Sequence, residues 1–277
     1  MSQKIHISPF DVLLWNFRHS GKDIIKIYSK FSPMMHFGAD TQMLNFGMWK
    51  NSTSLADAQR EMSEYVSGFG DFQTANKILD VGSGFCIPAQ IWNQKFSNLE
   101  IHCMDLNFGE LRNGINHTVS QVNCSAVEIP FSDNSFDRII ALESAQHFVP
   151  LGKFFAESRR LLRESGSLVM AIPVTNNSFL RLGLLGITWL SKKYSKSYVY
   201  DVIKQAGFEI KKQESIGHLV YEPFANYYIQ NRQELKEKLI QIYSTNVENL
   251  VFKSMKKMGQ LSKNKIIDYI LLSMEKN

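Results

Sequence analysis

Cysteine is scarce. The chain has three in 277 residues, Cys86, Cys103 and Cys124, with no spacing that would ligate a metal. So few thiols make no disulfide framework and fit a reducing, cytoplasmic compartment. Residues 1–6 lack the apolar core and cleavage site of a signal peptide, which leads to the same expectation. Histidines and carboxylates are scattered rather than clustered, which disfavours a catalytic metal. Long hydrophobic runs are also missing. The longest, 179–190, is broken by Arg181 and is too short to span a bilayer. No internal repeat or low-complexity tract occurs. Aromatic and basic residues do not interleave as base-stacking surfaces require, so nucleic acid is not an expected partner.

What remains is an ordinary globular composition, 44% apolar and 12% aromatic, enough for one large α/β domain with additions or for two small ones. The net charge is +5. From 231 to 277, nine Lys/Arg against five Asp/Glu leave +4, so the excess lies toward the C-terminus. That excess reads as a solvated helix face, with anion binding as the alternative.

Ile24, Ile25, Ile27, Tyr28 and Phe31 form a helical stripe, after which 31–38 reads as a loop around Pro33. Ser54 and Asp57 resemble a capping pair ahead of Leu55, Ala58, Met62 and Val66. Strands are expected at 77–81, 99–104, 136–142, 167–172, 208–215 and 266–274. Between them, Pro88 suits a helix start. Leu151, Phe154, Phe155, Ser158, Leu161 and Leu162 share a helical face, with Gly166 as its C-terminal cap. Further helices are expected at 176–196, at 198–206 closed by Gly207, and over most of 221–258. Such alternation predicts a parallel sheet with helices on both faces.

The most informative stretch is 77–86, KILDVGSGFC. An apolar strand runs into Asp80 and then into glycines that turn the chain toward a helix. A second strand ends about two dozen residues later in Asp105. Two strand ends of this kind suit a nucleoside cofactor: glycines allow close backbone approach, and the second carboxylate accepts from ribose hydroxyls.

The motifs that follow carry a resemblance. Residues 79–84 (LDVGSG), 104–106 (MDL), 129–137 (IPFSDNSFD), 142–148 (LESAQHF) and 161–168 (LLRESGSL) occur in an ordered series, with 44–49 (LNFGMW) upstream. Together they resemble the class I S-adenosylmethionine-dependent small-molecule methyltransferases. The similar branch includes quinone, tocopherol, sterol and sugar O-methyltransferases. The resemblance covers roughly 20–275. It implies an α/β fold: a seven-stranded, mostly parallel Rossmann-like sheet with helices on both faces, an N-terminal helical cover and a helical lid. The implied divisions are a cover over 1–70, a cofactor-binding core over 71–175, lid and further core elements over 176–262, and a final strand over 263–277.

Site roles follow from the same resemblance. Gly82, Ser83 and Gly84 would bring backbone amides to the methionine end of S-adenosylmethionine. Asp80 would hold the loop or the cofactor's amino group. Asp105 would bind both ribose hydroxyls, Leu106 would pack on adenine, and Ser125, Ala126 and Val127 would line its edge. Two positions depart from the pattern. Cys86 stands where a third glycine is usual, and Ser125 where an acidic residue is often found.

Methyl transfer needs alignment and a dehydrated pocket, and a hydroxyl acceptor also needs a base. His147 is the candidate base, since an imidazole titrates near pH ~6.5. Its alternative role is capping or orienting. Glu143 is the second catalytic candidate, suited to stabilising a carbocation in C-methylation or to touching the cofactor. His36 and His218 are weaker candidates. Tyr28 and Trp49 could close over the sulfonium. The apolar residues of 179–190 and the cluster Tyr221, Phe224, Tyr227 and Tyr228 suit a lid for a partly apolar small molecule. Lys192, Lys193 and Lys196 would allow a loose membrane-surface contact. The expected reaction is O-methylation of a natural-product-like molecule. C-methylation of an isoprenoid or quinone-like acceptor, and a non-catalytic cofactor-binding protein, are the alternatives. No signal bears on oligomeric state.

Overall fold

The computed structural model describes residues 4–8, 11, 20–36, 42–114, 118–177 and 193–277. A seven-stranded sheet runs through it. In chain order the strands are β1 (Lys77–Val81), β2 (Glu100–Asp105), β3 (Ser120–Asn123), β4 (Phe136–Leu142), β5 (Leu162–Thr175), β6 (Phe208–Ser215) and β7 (Ile267–Lys276). Their spatial order is β3-β2-β1-β4-β5-β7-β6. β1 to β5 pair in parallel, whereas β7 lies antiparallel between β5 and β6. The connections reverse direction between β1 and β4. That switch point leaves a crevice at the C-terminal strand ends, where open α/β sheets bind ligands.

Alternation along each strand feeds two cores. Ile78 of β1 faces one side and Leu79 the other. On the first side pack α1 (Gly21–His36), α2 (Leu55–Phe69), α3 (Ile87–Lys95) and the short α4 (Phe108–Asn113). On the second lie α5 (Leu151–Leu161) and α6 (Lys196–Gln205). Three further helices, α7 (Gly217–Gln230), α8 (Arg232–Ile242) and α9 (Thr245–Lys263), complete the first side. The cap expected at α2 is formed: Ser54 accepts from the Asp57 amide and donates to its carboxylate at 2.6 Å. Among the described residues, no helix is long and apolar enough to cross a membrane, and no group of three His, Cys, Asp or Glu could hold a metal.

Several elements differ from the sequence expectations. The loop expected from 31 is helix through to His36, with Pro33 inside it. Buried Phe31 and Met34 hold this turn, while Ser29, whose carbonyl loses its amide donor, is exposed to water. Helix α5 stops at Leu161, whose successor is extended, so Gly166 falls within β5 instead of capping the helix. β3 was not anticipated. The 221–258 tract is mostly helical, as expected, and divides into three helices at Asn231 and at Tyr243–Ser244. Most of the expected 176–196 helix, including its apolar residues, lies outside the described residues.

Candidate active site

A cavity of about 350 Å³ opens at the switch point, lined by α1, the 42–46 segment, the turn after β1, the ends of β2 and β4, and 124–127. Its volume is in the range of small-molecule sites.

The floor is built by the turn after β1. Gly82 and Gly84 have φ of +75° and +53°, which glycine adopts without strain. The Gly82 and Ser83 amides donate to the Met104 carbonyl at 2.8 and 3.0 Å, and the Gly84 amide donates to Asp105 Oδ2 at 2.9 Å. The amides expected to face a ligand are therefore engaged internally. What the glycines offer the cavity is the absence of Cβ. Asp105 also accepts from the Asn107 amide through Oδ1 at 2.7 Å. Burial raises its pKa and these amides oppose the rise. Asp80 is buried at the cavity wall, and among the described residues no hydrogen bond reaches its carboxylate. Burial first, then Cys86 and Asp105, push its pKa well up. Leu106, Ser125, Ala126 and Val127 line the cavity beside Asp105. Cys86, in the usual glycine position, takes a left-handed conformation (φ 58°) at the start of α3 and is fully buried.

The opposite wall follows β4. Glu143 has φ 53°, strained for a residue with a side chain. Its carboxylate accepts from the Phe46 amide at 3.0 Å and the Tyr269 hydroxyl at 3.0 Å. Burial pushes its pKa up to about 8. His147 ends a 3₁₀ turn, Ala145–His147, and its Nε2 lies 2.7 Å from the Tyr28 hydroxyl of α1. The two rings meet edge to face, 5.3 Å apart. Burial, then Glu110, Glu143 and Asp105, raise the Tyr28 pKa, so the phenol stays protonated.

The structure thus brings together Asp80, Gly82, Ser83, Gly84, Asp105, Leu106, Ser125, Ala126, Val127, Glu143, His147 and Tyr28. It separates Trp49 from them. The Trp49 ring packs on Tyr227 and Phe224 and its Nε1 donates to the Phe46 carbonyl, which turns it away from the cavity. The aromatic cluster of α7 is likewise absent from the cavity lining: Tyr221 packs on Phe46 and Tyr269. His218 is exposed on α7, and His36 is the last residue of α1. Glu110 is a cavity residue that the sequence does not mark. Glu110 of α4 is buried there and accepts from Ser32 Oγ at 2.6 Å. Its partner is 78 residues away, so no local pattern could have marked it.

Comparison with known proteins bears on the domain and the fold. The methyltransferase domain family matches residues 79–170. Erythromycin 3''-O-methyltransferase of Saccharopolyspora erythraea is 22% identical over 278 residues, spanning 90% of this chain and 88% of that one. Cyclopropane synthase MmaA2 from Mycobacterium tuberculosis superposes with a TM-score of 0.76 at 16% identity, covering 92% of this chain and 98% of that one. Phosphoethanolamine N-methyltransferase 2 of Haemonchus contortus, solved with S-adenosylhomocysteine, gives a TM-score of 0.75 at 19% identity, covering 94% of this chain and 61% of that one. The family match spans the turn after β1, the end of β2 and the end of β4, on the sheet that these enzymes share. The chain carries a methyltransferase domain and is an S-adenosylmethionine-dependent enzyme, on a sheet like that of the class I small-molecule methyltransferases.

Proposed function

We propose that the protein methylates a hydroxyl of a mid-sized, partly apolar, natural-product-like molecule, with His147 as the base. The observation that carries this reading is the 2.7 Å contact between His147 Nε2 and the Tyr28 hydroxyl in the cavity wall. The apolar surroundings contributed by Ile24, Ile25, Phe31, Met35 and Phe148 suit such an acceptor, as does the likeness to an erythromycin O-methyltransferase.

The residues present fit the cofactor. A carboxylate has about four acceptor positions, and the Gly84 and Asn107 amides use two at Asp105, leaving capacity for ribose hydroxyls. Asp80, buried without a donor, suits the cationic amino group, whose charge would favour its ionised form. Gly82 and Gly84 leave the floor low, and 124–127 borders the adenine end. Bound there, S-adenosylmethionine supplies an electrophilic methyl carbon on a sulfonium that departs as a neutral thioether. The protein supplies alignment, exclusion of water and a place for one proton. A neutral His147 carrying its proton on Nδ1 accepts the Tyr28 hydroxyl at Nε2; the proton lost by the acceptor hydroxyl passes to the Tyr28 oxygen as the Tyr28 proton passes to Nε2, so the phenol stays neutral and the imidazole carries the charge. Tyr28 keeps the ring turned toward the cavity.

Glu143 in the same cavity supports a second reading, C-methylation of an isoprenoid or quinone-like acceptor. A carboxyl with a pKa of about 8 is mostly neutral at pH 7, which weakens its ability to stabilise a cation. The test uses a macrolide lacking its 3''-O-methyl group among a panel of hydroxylated acceptors, with S-adenosylhomocysteine release as the readout. His147→Ala should lower turnover ~10²–10⁴-fold and abolish a rise in rate near pH ~6–7, with S-adenosylhomocysteine affinity unchanged. A flat pH profile and an unaffected His147 variant, with Glu143→Gln inactive, would transfer the reading to C-methylation.

A further inference from the structure

Helix α1 touches both walls of the cavity from one face. Tyr28 meets His147 beyond the end of β4, and Ser32, four residues later, meets Glu110 of α4 beyond the end of β2. Residues four apart share a helix face, so the two contacts rise from a single stripe. We infer that Ser32 and Glu110 form a clamp that holds α1 across the cofactor cavity and keeps Tyr28 aimed at His147, which makes Glu110 a positioning residue for methyl transfer.

The bond is well protected. Ser32 is 4% and Glu110 7% exposed, and Ser32 Oγ donates to Oε1 at 2.6 Å. The other oxygen points at the cofactor floor: a Cβ added to Gly84 would lie 3.7 Å from Glu110 Oε2. Helix α4 starts directly after Asp105 and is capped by Asn107, which accepts from the Gly109 amide. Glu110 is therefore tied to the strand end that carries the ribose-binding candidate.

The groups facing Glu110 are Asp105 from β2, Asn107 from the turn, and Tyr28 and Ser32 from α1. None is cationic, and among the described residues Glu110 has no ion-pair partner. Burial above all, with Asp105 adding to it, pushes its pKa up to about 7. A hydroxyl binds an ionised carboxylate more strongly than a neutral carboxyl. The clamp is consequently tighter above neutrality and looser below it. A cofactor bearing a sulfonium favours the ionised, tighter form.

The inference rests on the cofactor occupying this cavity, and its test separates the two. S-adenosylhomocysteine affinity is measured by calorimetry for the wild type, Ser32→Ala, Ser32→Thr, Glu110→Gln and the Ser32→Ala/Glu110→Gln double variant. Backbone hydrogen exchange over 21–36 is followed without ligand at pH 6 and pH 8. Ser32→Ala should bind about tenfold more weakly, as expected for a lost hydrogen bond to a charged group, and Ser32→Thr should restore binding to within about twofold. The double variant should be no worse than the weaker single one, because both remove the same bond. Exchange over 21–36 should quicken in Ser32→Ala at pH 8, with a smaller difference at pH 6. Wild-type affinity and exchange in Ser32→Ala would overturn the clamp. Additive losses would overturn it as well, since Glu110 would then act independently of Ser32. A wild type that fails to bind S-adenosylhomocysteine would overturn the cofactor placement, while the ligand-free exchange comparison still decides the clamp.

Discussion

Replacing Gly82 with alanine should damage the enzyme far more than the same change at Gly84, although both glycines belong to one turn and both have positive φ. At 82 a new Cβ would sit 2.4 Å from Ser144 Cβ and 3.4 Å from Phe148 Cζ. Ser144 cannot easily retreat. Its Oγ donates to the Val81 carbonyl at 2.6 Å, and it precedes the 3₁₀ turn that presents His147. At 84 the new Cβ would meet only Leu44 and Glu110, at ordinary distances of 3.6 and 3.7 Å. A left-handed residue costs ~1–2 kcal/mol, which both variants lose. Overpacking adds ~1–3 kcal/mol, which only Gly82→Ala incurs. At ~2–4 °C per kcal/mol for a chain of this size, Gly82→Ala should melt roughly 4–20 °C lower and Gly84→Ala roughly 2–8 °C lower. Scanning calorimetry reads the shift, and titration with S-adenosylhomocysteine reads whether the floor still accepts ligand. The native Cys86, at φ 58° in the same turn, indicates that conformation alone is survivable here. Equal shifts for the two variants would refute the steric argument and leave backbone conformation as the whole cost.

Asp80→Asn should weaken S-adenosylhomocysteine binding about tenfold or more, by removing the charged acceptor for the amino group; an unchanged dissociation constant in calorimetry would exclude that contact. Glu143 has a folded-state pKa of about 8 against an ordinary value of 4.5, so between those values the folded state holds a proton that the unfolded state has released. Stability from this group is therefore highest at low pH and falls as pH rises through the window. The melting temperature of the wild type should drop from pH 6 to pH 8.5, and Glu143→Gln should flatten that dependence; an identical slope in the variant would show that Glu143 is not the titrating group.

The parts that were legible in sequence are those written by neighbouring residues. The strand–Asp80–glycine turn, the Ser54 cap and the apolar stripe of α5 each need only a short window to be recognised, and each forms. The parts that were not legible depend on distant partners. Pro33 signals a break in any local reading, yet burial of Phe31 and Met34 carries α1 past it. β3 has four residues at a sheet edge, mostly polar and only partly buried, so it lacks the apolar run that marks a strand. Trp49 was drawn toward the cavity by resemblance, but Tyr227 and Phe224 offer its ring a stacking surface on the other side. Glu110 and Ser32 reveal nothing until the fold brings α1 over α4.

The antiparallel placement of β7 leaves the closing pairings of the sheet to a segment far along the chain. Among the described strands β6 pairs with β7 alone, and β7 spans residues 267–276, so the outer edge of β5 is covered only by that late segment. Every contact β7 makes with β5 closes a loop of about ninety residues or more, the slow kind of pairing. During that interval a long, apolar β5 presents open backbone to any passing strand. The same segment delivers Tyr269 to Glu143, so the cavity wall is finished only when the sheet is.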